Sequence, residues 1–351
     1  MKNTKTMNKL TLIQPDDWHL HVRNGVILKT VIPHTANQFA RAIIMPNLNP
    51  PVLTVDQALA YRDEILQALP EGSNFNPLMT LYLTSNLTQD EVKKAAESEF
   101  IHAVKLYPAG ATTNSDSGVS DLKGIYPILE TMQQVDLPLL IHGEVTNPDC
   151  DIFDREQVFV DSSLTDIVKN FPDLRVVVEH VTTKEAVDFV LSASNKVAAT
   201  ITPQHLMFNR NAILAGGIRP HHYCLPIIKR EKHRQALLAA ATSGNPKFFL
   251  GTDSAPHLTG AKESSCGCAG CYSAYGAIEL YADVFEQAGA LDKLEGFASL
   301  FGPDFYQLPR NTQTISLEKQ VWTVPASYPV GDATITPLKA NEVINWKLLD
   351  S

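Results

Sequence analysis

Eight times along the 351-residue chain, a short apolar run rich in strand-forming residues recurs, and stretches with helical spacing lie between the runs. The runs are Leu10–Ile13, Ala40–Met45, Pro77–Leu83, Ala103–Tyr107, Pro138–Ile141, Arg175–Val178, Val197–Ile201 and Lys247–Leu250. The helical stretches are Thr54–Leu69, Thr88–Ser98, Ser120–Val135, Arg155–Phe171, Thr183–Ala193 and Lys229–Ser243, the last stopped by Gly244. Thr88 with Glu91 three residues later reads as a capping box. Alternating strands and helices call for a parallel sheet, and eight such units point to an α/β fold of the closed (β/α)8 TIM-barrel type. A doubly wound open sheet is the structural alternative. The count of eight, and the polar residues clustered after nearly every run, favour the barrel.

Two further helices are expected, at Tyr272–Ala288 and Lys293–Phe301. The tail from Thr312 has short alternating runs such as Gln320–Val324, as a small packed extension would. The expectation is one domain over residues 1–351, with a barrel over about 10–310 and an extension over about 311–351.

A hydrophobic content of 44% and a charged content of 19% fit a soluble globular protein with a large core. The net charge of -9 argues against a nucleic-acid partner. Met1 to Lys9 has three lysines but no apolar stretch behind them, unlike a secretory signal. No apolar run approaches the ~20 residues of a membrane helix, so no membrane partner is expected. Five cysteines, an odd number, suggest reduced thiols and a cytoplasmic setting.

Catalytic residues of such barrels come from the C-terminal strand ends. After the first run stands Asp16-Asp17-Trp18-His19-Leu20-His21-Val22-Arg23. In an extended chain His19, His21 and Arg23 share one face, so two imidazoles can grip a metal ion and the arginine an anion. His-x-His alone is also a common surface pair. Further strand ends bring Asn47, Lys105, His142, His180, Asp253 and His257. Each has an ordinary explanation alone: a buried histidine bonded to backbone, a helix-capping aspartate, a lysine reaching solvent. Four histidines, an aspartate and a lysine on one rim are poorly explained as coincidence.

This set resembles the binuclear amidohydrolase superfamily, and its finer motifs resemble the dihydroorotases of the shorter bacterial type. Pro15 to Arg23, Met45-Pro46-Asn47-Leu48, Lys105-Leu106-Tyr107-Pro108-Ala109-Gly110 and Gly251-Thr252-Asp253-Ser254-Ala255-Pro256-His257 carry the likeness, which runs over essentially the whole chain. It implies reversible cyclisation of N-carbamoyl-L-aspartate to L-dihydroorotate and water, in pyrimidine (UMP) biosynthesis. It implies two Zn2+ ions per subunit bridged by Lys105 as N6-carboxylysine. His19, His21 and Asp253 would complete the first site, and His142 and His180 the second. A bridging hydroxide would attack, with Asp253 as general acid and base. Arg23, Asn47 and His257 would hold the unreacting carboxylate. His21 and His142 are also expected at the substrate, and backbone near Leu225 and Ala269 at the pyrimidine ring. A homodimer is implied as well.

Two physical arguments stand beside the resemblance. Burial on a barrel strand lowers a lysine's pKa and exposes the neutral amine that adds CO2. Four charges from two Zn2+ against three from carbamate, Asp253 and hydroxide leave a positive site, to which Arg23 adds, so an anionic substrate fits an acidic chain.

Gly110 to Gly118 is small, polar and bounded by glycines, as a lid or an ordinary loop would be. The resemblance favours a lid in which Thr112 and Thr113 bond the substrate. Cys266, Cys268 and Cys271 invite a structural zinc, but no fourth ligand has an obvious spacing, and a tight rim loop of reduced thiols is the expectation. His34, His102, His205, His221, His222 and His233 read as structural or surface residues. The competing functions are a hydantoinase or allantoinase, which has no need of the Arg23, Asn47 and His257 set, and an inactive scaffold for a transcarbamoylase, which would have lost ligands.

Overall fold

The computed structural model describes residues 8–349. Most of Met1 to Lys9, read above as no secretory signal, lies outside the described residues. Fifteen strands follow in order: β1 Lys9–Ile13, β2 Asp16–Leu20, β3 Arg41–Ile44, β4 Asn76–Leu83, β5 Ile101–Leu106, β6 Leu139–His142, β7 Val176–Glu179, β8 Val197–Ile201, β9 Phe248–Leu250, β10 Thr314–Glu318, β11 Trp322–Thr323, β12 Tyr328–Val330, β13 Ala333–Ile335, β14 Val343–Ile344 and β15 Lys347–Leu348. Strands β2 to β9 form one eight-stranded parallel sheet in sequence order, flanked by helices. The ends of the sheet meet where Leu20 pairs with Ser254. There the Asp253 N–H donates to the His19 carbonyl at 2.9 Å, and the His21 N–H to the Ser254 carbonyl at 3.1 Å. The expected TIM barrel is therefore the fold.

One strand was misplaced. Leu10–Ile13 is not the first barrel strand: β1 pairs antiparallel with β10, which pairs with β15. The first barrel strand is the Asp16–Leu20 segment itself, and the barrel begins there rather than near residue 10. Its polar composition hid it. Asp16 is buried against Arg41, whose Nε and Nη2 donate to the carboxylate at 3.0 and 2.6 Å. Asp17 is buried against Thr252. A strand of polar residues is stable in a core because each buried carboxylate has a hydrogen-bond partner built for it.

The pairing of β2 with β3 also shifts register between Asp17 and Leu20. A bulge of this kind bends the strand and re-aims side chains. Simple alternation would set Trp18 and His19 on opposite faces. Here Trp18 fills the lower barrel interior with Ile43, Leu78, Ala103, Leu140, Val177, Ala198 and Phe249, while His19 reaches the layer above. Tyr306 plugs the bottom, stacked on Trp18 with ring centroids 4.5 Å apart. Gly302 permits the approach, since a Cβ there would lie 1.9 Å from Trp18 Nε1.

The capping box expected at Thr88 forms only in part, and a full one forms at a position the sequence had not singled out. Thr54 and Gln57 form a full capping box at the start of Val55–Ala68. Thr88 caps Gln89–Glu97, but Glu91 does not complete a box there. Its carboxylate accepts the Val55 N–H at 2.6 Å, the first residue of the preceding helix. Helix Gly25–Ala36 was not anticipated from the sequence, and it carries Pro33 within it. The extension packs on helix Ala277–Gln287 through an acidic stripe. Glu279 accepts from Leu348 N at 3.1 Å, Asp283 from Asn345 N at 3.3 Å and Glu286 from Trp346 Nε1 at 3.1 Å. Spacings of four and three residues set all three acids on one helix face. No helix among the described residues is long and apolar enough to cross a membrane.

Candidate active site

The upper barrel layer is where polar side chains replace apolar ones. On β5, Ala103 lies in the lower layer and Lys105, two residues on, in the upper one. The same step leads from Leu140 to His142 on β6 and from Val177 to Glu179 on β7. His180 and Asp253 follow their strands with φ of +42° and +46°, and Arg23 has φ of +58°. Left-handed backbone at three such residues costs roughly 1–3 kcal/mol each and clusters at functional positions.

His19 Nε2, His21 Nε2 and Asp253 Oδ1 converge. The two nitrogens are 3.2 Å apart, and they lie 3.3 and 3.2 Å from the oxygen. The edge of a tetrahedron with Zn–N bonds of about 2.0–2.1 Å is about 3.3 Å, so these three atoms span one face of a metal's coordination shell. All three residues are buried. Burial also holds His19, His21 and His180 well below the ordinary histidine pKa, leaving neutral imidazoles able to ligate. His180 Nδ1 is buried with no partner, which a metal would satisfy. The His180 ring lies 5.0 Å from that of His19 and 4.8 Å from that of His142. The set His19, His21 and Asp253 fits a metal; the second buried donor group is His19, Glu179 and His180, and His142 joins neither among the described residues.

Lys105 is fully buried, and its Nζ contacts the Glu179 carboxylate. Burial pushes its pKa well down. It also raises Asp253 to about 6.

Above these groups is a small cavity lined by His19, His21, Arg23, Asn47, Thr112, Thr113, His142, His180, Leu225, Asp253 and Ala269, together with Tyr107, Ala255 and Gly270. All but the last three are residues to which the sequence assigned a site role. Lys105 lies beneath, and His257 stands behind Arg23, its Nε2 3.0 Å from Arg23 Nη2. The 110–118 loop is folded over the cavity. Asn47 Nδ2 donates to the Thr113 carbonyl at 3.0 Å, and Asn114 Nδ2 returns the bond to the Asn47 carbonyl at 3.0 Å. Thr113 Oγ1 and His257 Nε2 both meet the Ala269 carbonyl, at 3.4 and 3.0 Å.

Four residues near the site were given no role from the sequence: Asp17, Glu144, Glu179 and Tyr107. Glu144 Oε2 lies 2.8 Å from His142 Nε2, and Lys105 Nζ 4.8 Å from the Tyr107 ring centroid. Period-two alternation from Val177 was a usable signal for Glu179, and none existed for Asp17.

The cysteine segment sits on the rim, as expected of it. None of the five cysteines forms a disulfide among the described residues. Cys266 Sγ and Cys268 Sγ are 3.9 Å apart, and no cysteine joins a metal-binding group among the described residues. His221 pairs with Glu263 at 2.9 Å, and His222 stacks on Phe208. His205 bonds Thr202 at 2.7 Å. These are structural contacts.

No family model matches the chain. A dihydroorotase of Acaryochloris marina is 64% identical over 344 residues, covering 98% of this chain and 100% of that one. The structure of dihydroorotase in complex with 5-fluoroorotic acid from Saccharomyces cerevisiae superposes with a TM-score of 0.90 at 35% identity, covering 98% and 99%. Dihydroorotase from Campylobacter jejuni gives a TM-score of 0.90 at 35% identity, covering 99% of each chain. An L-hydantoinase from Arthrobacter aurescens shares the fold at a TM-score of 0.80 and 97% and 83% coverage, but at 15% identity that likeness carries the fold alone. With near-complete coverage at such identity, the chain belongs to the dihydroorotase family, enzymes that hydrolyse cyclic amides.

Proposed function

We propose that the chain interconverts N-carbamoyl-L-aspartate and L-dihydroorotate, releasing water on ring closure, as a step of pyrimidine biosynthesis. The observation that carries this reading is the convergence of His19, His21 and Asp253 at metal-ligand spacing in a cavity that Arg23 also lines, with His257 behind Arg23.

His19, His21 and Asp253 would hold one zinc ion, His142 and His180 a second, and Lys105 would bridge them. For the bridge, the neutral Lys105 amine adds CO2. A bond forms from Nζ to the CO2 carbon, a proton leaves, and the product carbamate carries one negative charge. Two bound zinc ions would supply an activated water and polarise the amide carbonyl.

The chain's own groups do the rest. In hydrolysis the ring amide C–N bond breaks. Asp253 takes the proton from the attacking water and delivers it to the leaving nitrogen. In synthesis the same carboxylate accepts a proton from the attacking ureido nitrogen. Arg23 supplies a fixed, charged donor for the carboxylate that does not react, with Asn47 and His257 beside it. An uncharged hydantoin has no use for that set, which supports dihydroorotate over a hydantoin substrate. The side chains of His21 and His142 and the backbone at Leu225 and Ala269 would complete the substrate contacts. Thr112 and Thr113 would bond the substrate from the folded-over loop and exclude bulk water. A single domain acting as a cytoplasmic homodimer completes the reading, on the resemblance to dihydroorotases.

The test is an assay of carbamoyl aspartate and dihydroorotate interconversion before and after exhaustive chelation. Activity should disappear with the metal and return with zinc. Full activity in metal-free protein would overturn the mechanism.

A further inference from the structure

Two buried carboxylates stand behind the histidines of the site. Glu179 Oε1 lies 3.0 Å from His19 Nδ1. Both atoms are buried, and among the described residues neither has another hydrogen-bond partner. Glu179 Oε2 meets Lys105 Nζ. Glu144 Oε2 lies 2.8 Å from His142 Nε2. Both carboxylates are about 1% exposed.

An ionised carboxylate only accepts hydrogen bonds. The ring nitrogen facing it must therefore carry the proton, and the opposite nitrogen keeps the lone pair. For His19 that leaves Nε2, the atom already converging with His21 and Asp253. For His142 it leaves Nδ1. With both carboxylates as acceptors, the two histidines take opposite tautomers.

Resting on the metal reading above, we propose that Glu179 and Glu144 are positioning residues, one for each metal, that fix which nitrogen of His19 and His142 is offered as ligand. Glu179 has a second duty at Lys105. A carbamate retains one N–H on Nζ, so the same carboxylate oxygen can accept from the lysine before and after carboxylation. One side chain then aligns two ligands of one ion. The sequence offers a reason for the placement: Glu179 immediately precedes His180 at the end of β7, and Glu144 follows His142 by two residues after β6.

The test is metal affinity, read apart from turnover. Glu179→Gln, Glu179→Leu, Glu144→Gln and Glu144→Leu are compared with the wild-type protein by elemental analysis and by zinc competition against a chromogenic chelator. The visible spectrum of each cobalt-loaded protein reports ligand geometry. The leucine variants should bind zinc about 100-fold more weakly and the glutamine variants about 10-fold more weakly, the range typical of carboxylates behind ligating histidines. Saturating zinc should still give two ions per chain, with a shifted cobalt spectrum. If the leucine variants do not fold by circular dichroism, the glutamine pair carries the test. Wild-type affinity and spectrum in the glutamine variants would overturn the proposal. So would loss of one whole zinc equivalent from Glu179→Gln or Glu144→Gln at saturation, which would make that glutamate a ligand; Glu179 already groups with His19 and His180 at ligand spacing. Those results leave the proposed function standing, whereas a wild-type protein that takes up no zinc would overturn both.

Discussion

Asp17 and Thr252 clasp the first barrel strand to the segment following the last. Thr252 donates to the Asp17 carboxylate twice, from its backbone N–H at 2.8 Å and from Oγ1 at 2.5 Å. A third bond comes from the His19 N–H at 3.1 Å. Burial raises Asp17 to about 7, so the clasp holds a carboxyl group at a point where no water competes. Thr252→Val removes the hydroxyl donor and keeps the shape. It should cost about 1–3 kcal/mol, the penalty of an unsatisfied buried acceptor, measured as a shift in urea midpoint at unchanged slope. Thr252→Ser should restore most of the loss. Equal stability of Val and Thr at this position would remove the clasp from the account.

Asp253 is expected to be both a ligand and the proton carrier. Asp253→Ala should abolish detectable turnover in both directions while the fold, read by circular dichroism and thermal unfolding, persists. Its backbone still closes the barrel through the His19 carbonyl, which is why the fold should survive. Turnover near the wild-type rate in this variant would refute the assignment.

The 110–118 loop is latched to the barrel through reciprocal bonds between Asn47 and residues 113 and 114. Replacing Thr112 and Thr113 together by alanine should lower kcat by about 10–100-fold, the scale of effect seen when a substrate is misplaced by an ångström. Stability should change little, because the main contacts of the latch use backbone carbonyls and the two asparagines. Steady-state kinetics on the double variant decide it, since unchanged kcat and KM would reduce the loop to a connector.

Glu279 gives a pH prediction away from the metal site. Burial raises its pKa from 4.5 to about 7. A folded-state value above the unfolded one favours the protonated fold. This contribution is complete below about pH 4.5 and is lost as pH rises through about 7. Glu279→Gln keeps an acceptor for the Leu348 N–H without the charge. The difference in unfolding free energy between variant and wild type should therefore move in the variant's favour from pH 5 to pH 8, by on the order of 3 kcal/mol at most. Urea titrations at the two pH values measure it, and parallel pH profiles would contradict it.

Much of this was legible in one dimension. Seven of the eight barrel strands were placed to within a residue or two, because strands buried on both faces read as continuous apolar runs. The first was not, because β2 is Asp-Asp-Trp-His-Leu, and its burial depends on Arg41 and Thr252, distant residues that no local pattern announces. A neighbouring apolar run, which joins the C-terminal extension instead, took its place.

By itself the sequence determined the alternation that makes a barrel and put its ligand-type residues at strand ends, since period-two geometry and chain order are local properties. The meaning of the opening motif was decided only in three dimensions. The bulge that turns both Trp18 and His19 inward arises from pairing with β3. The meeting of His19, His21 and Asp253 arises from closure of the sheet between its first and last strands. Which histidines Glu179 and Glu144 stand behind was decided there too. A contact between residues far apart in the chain is set by packing, and packing is a property of the whole fold.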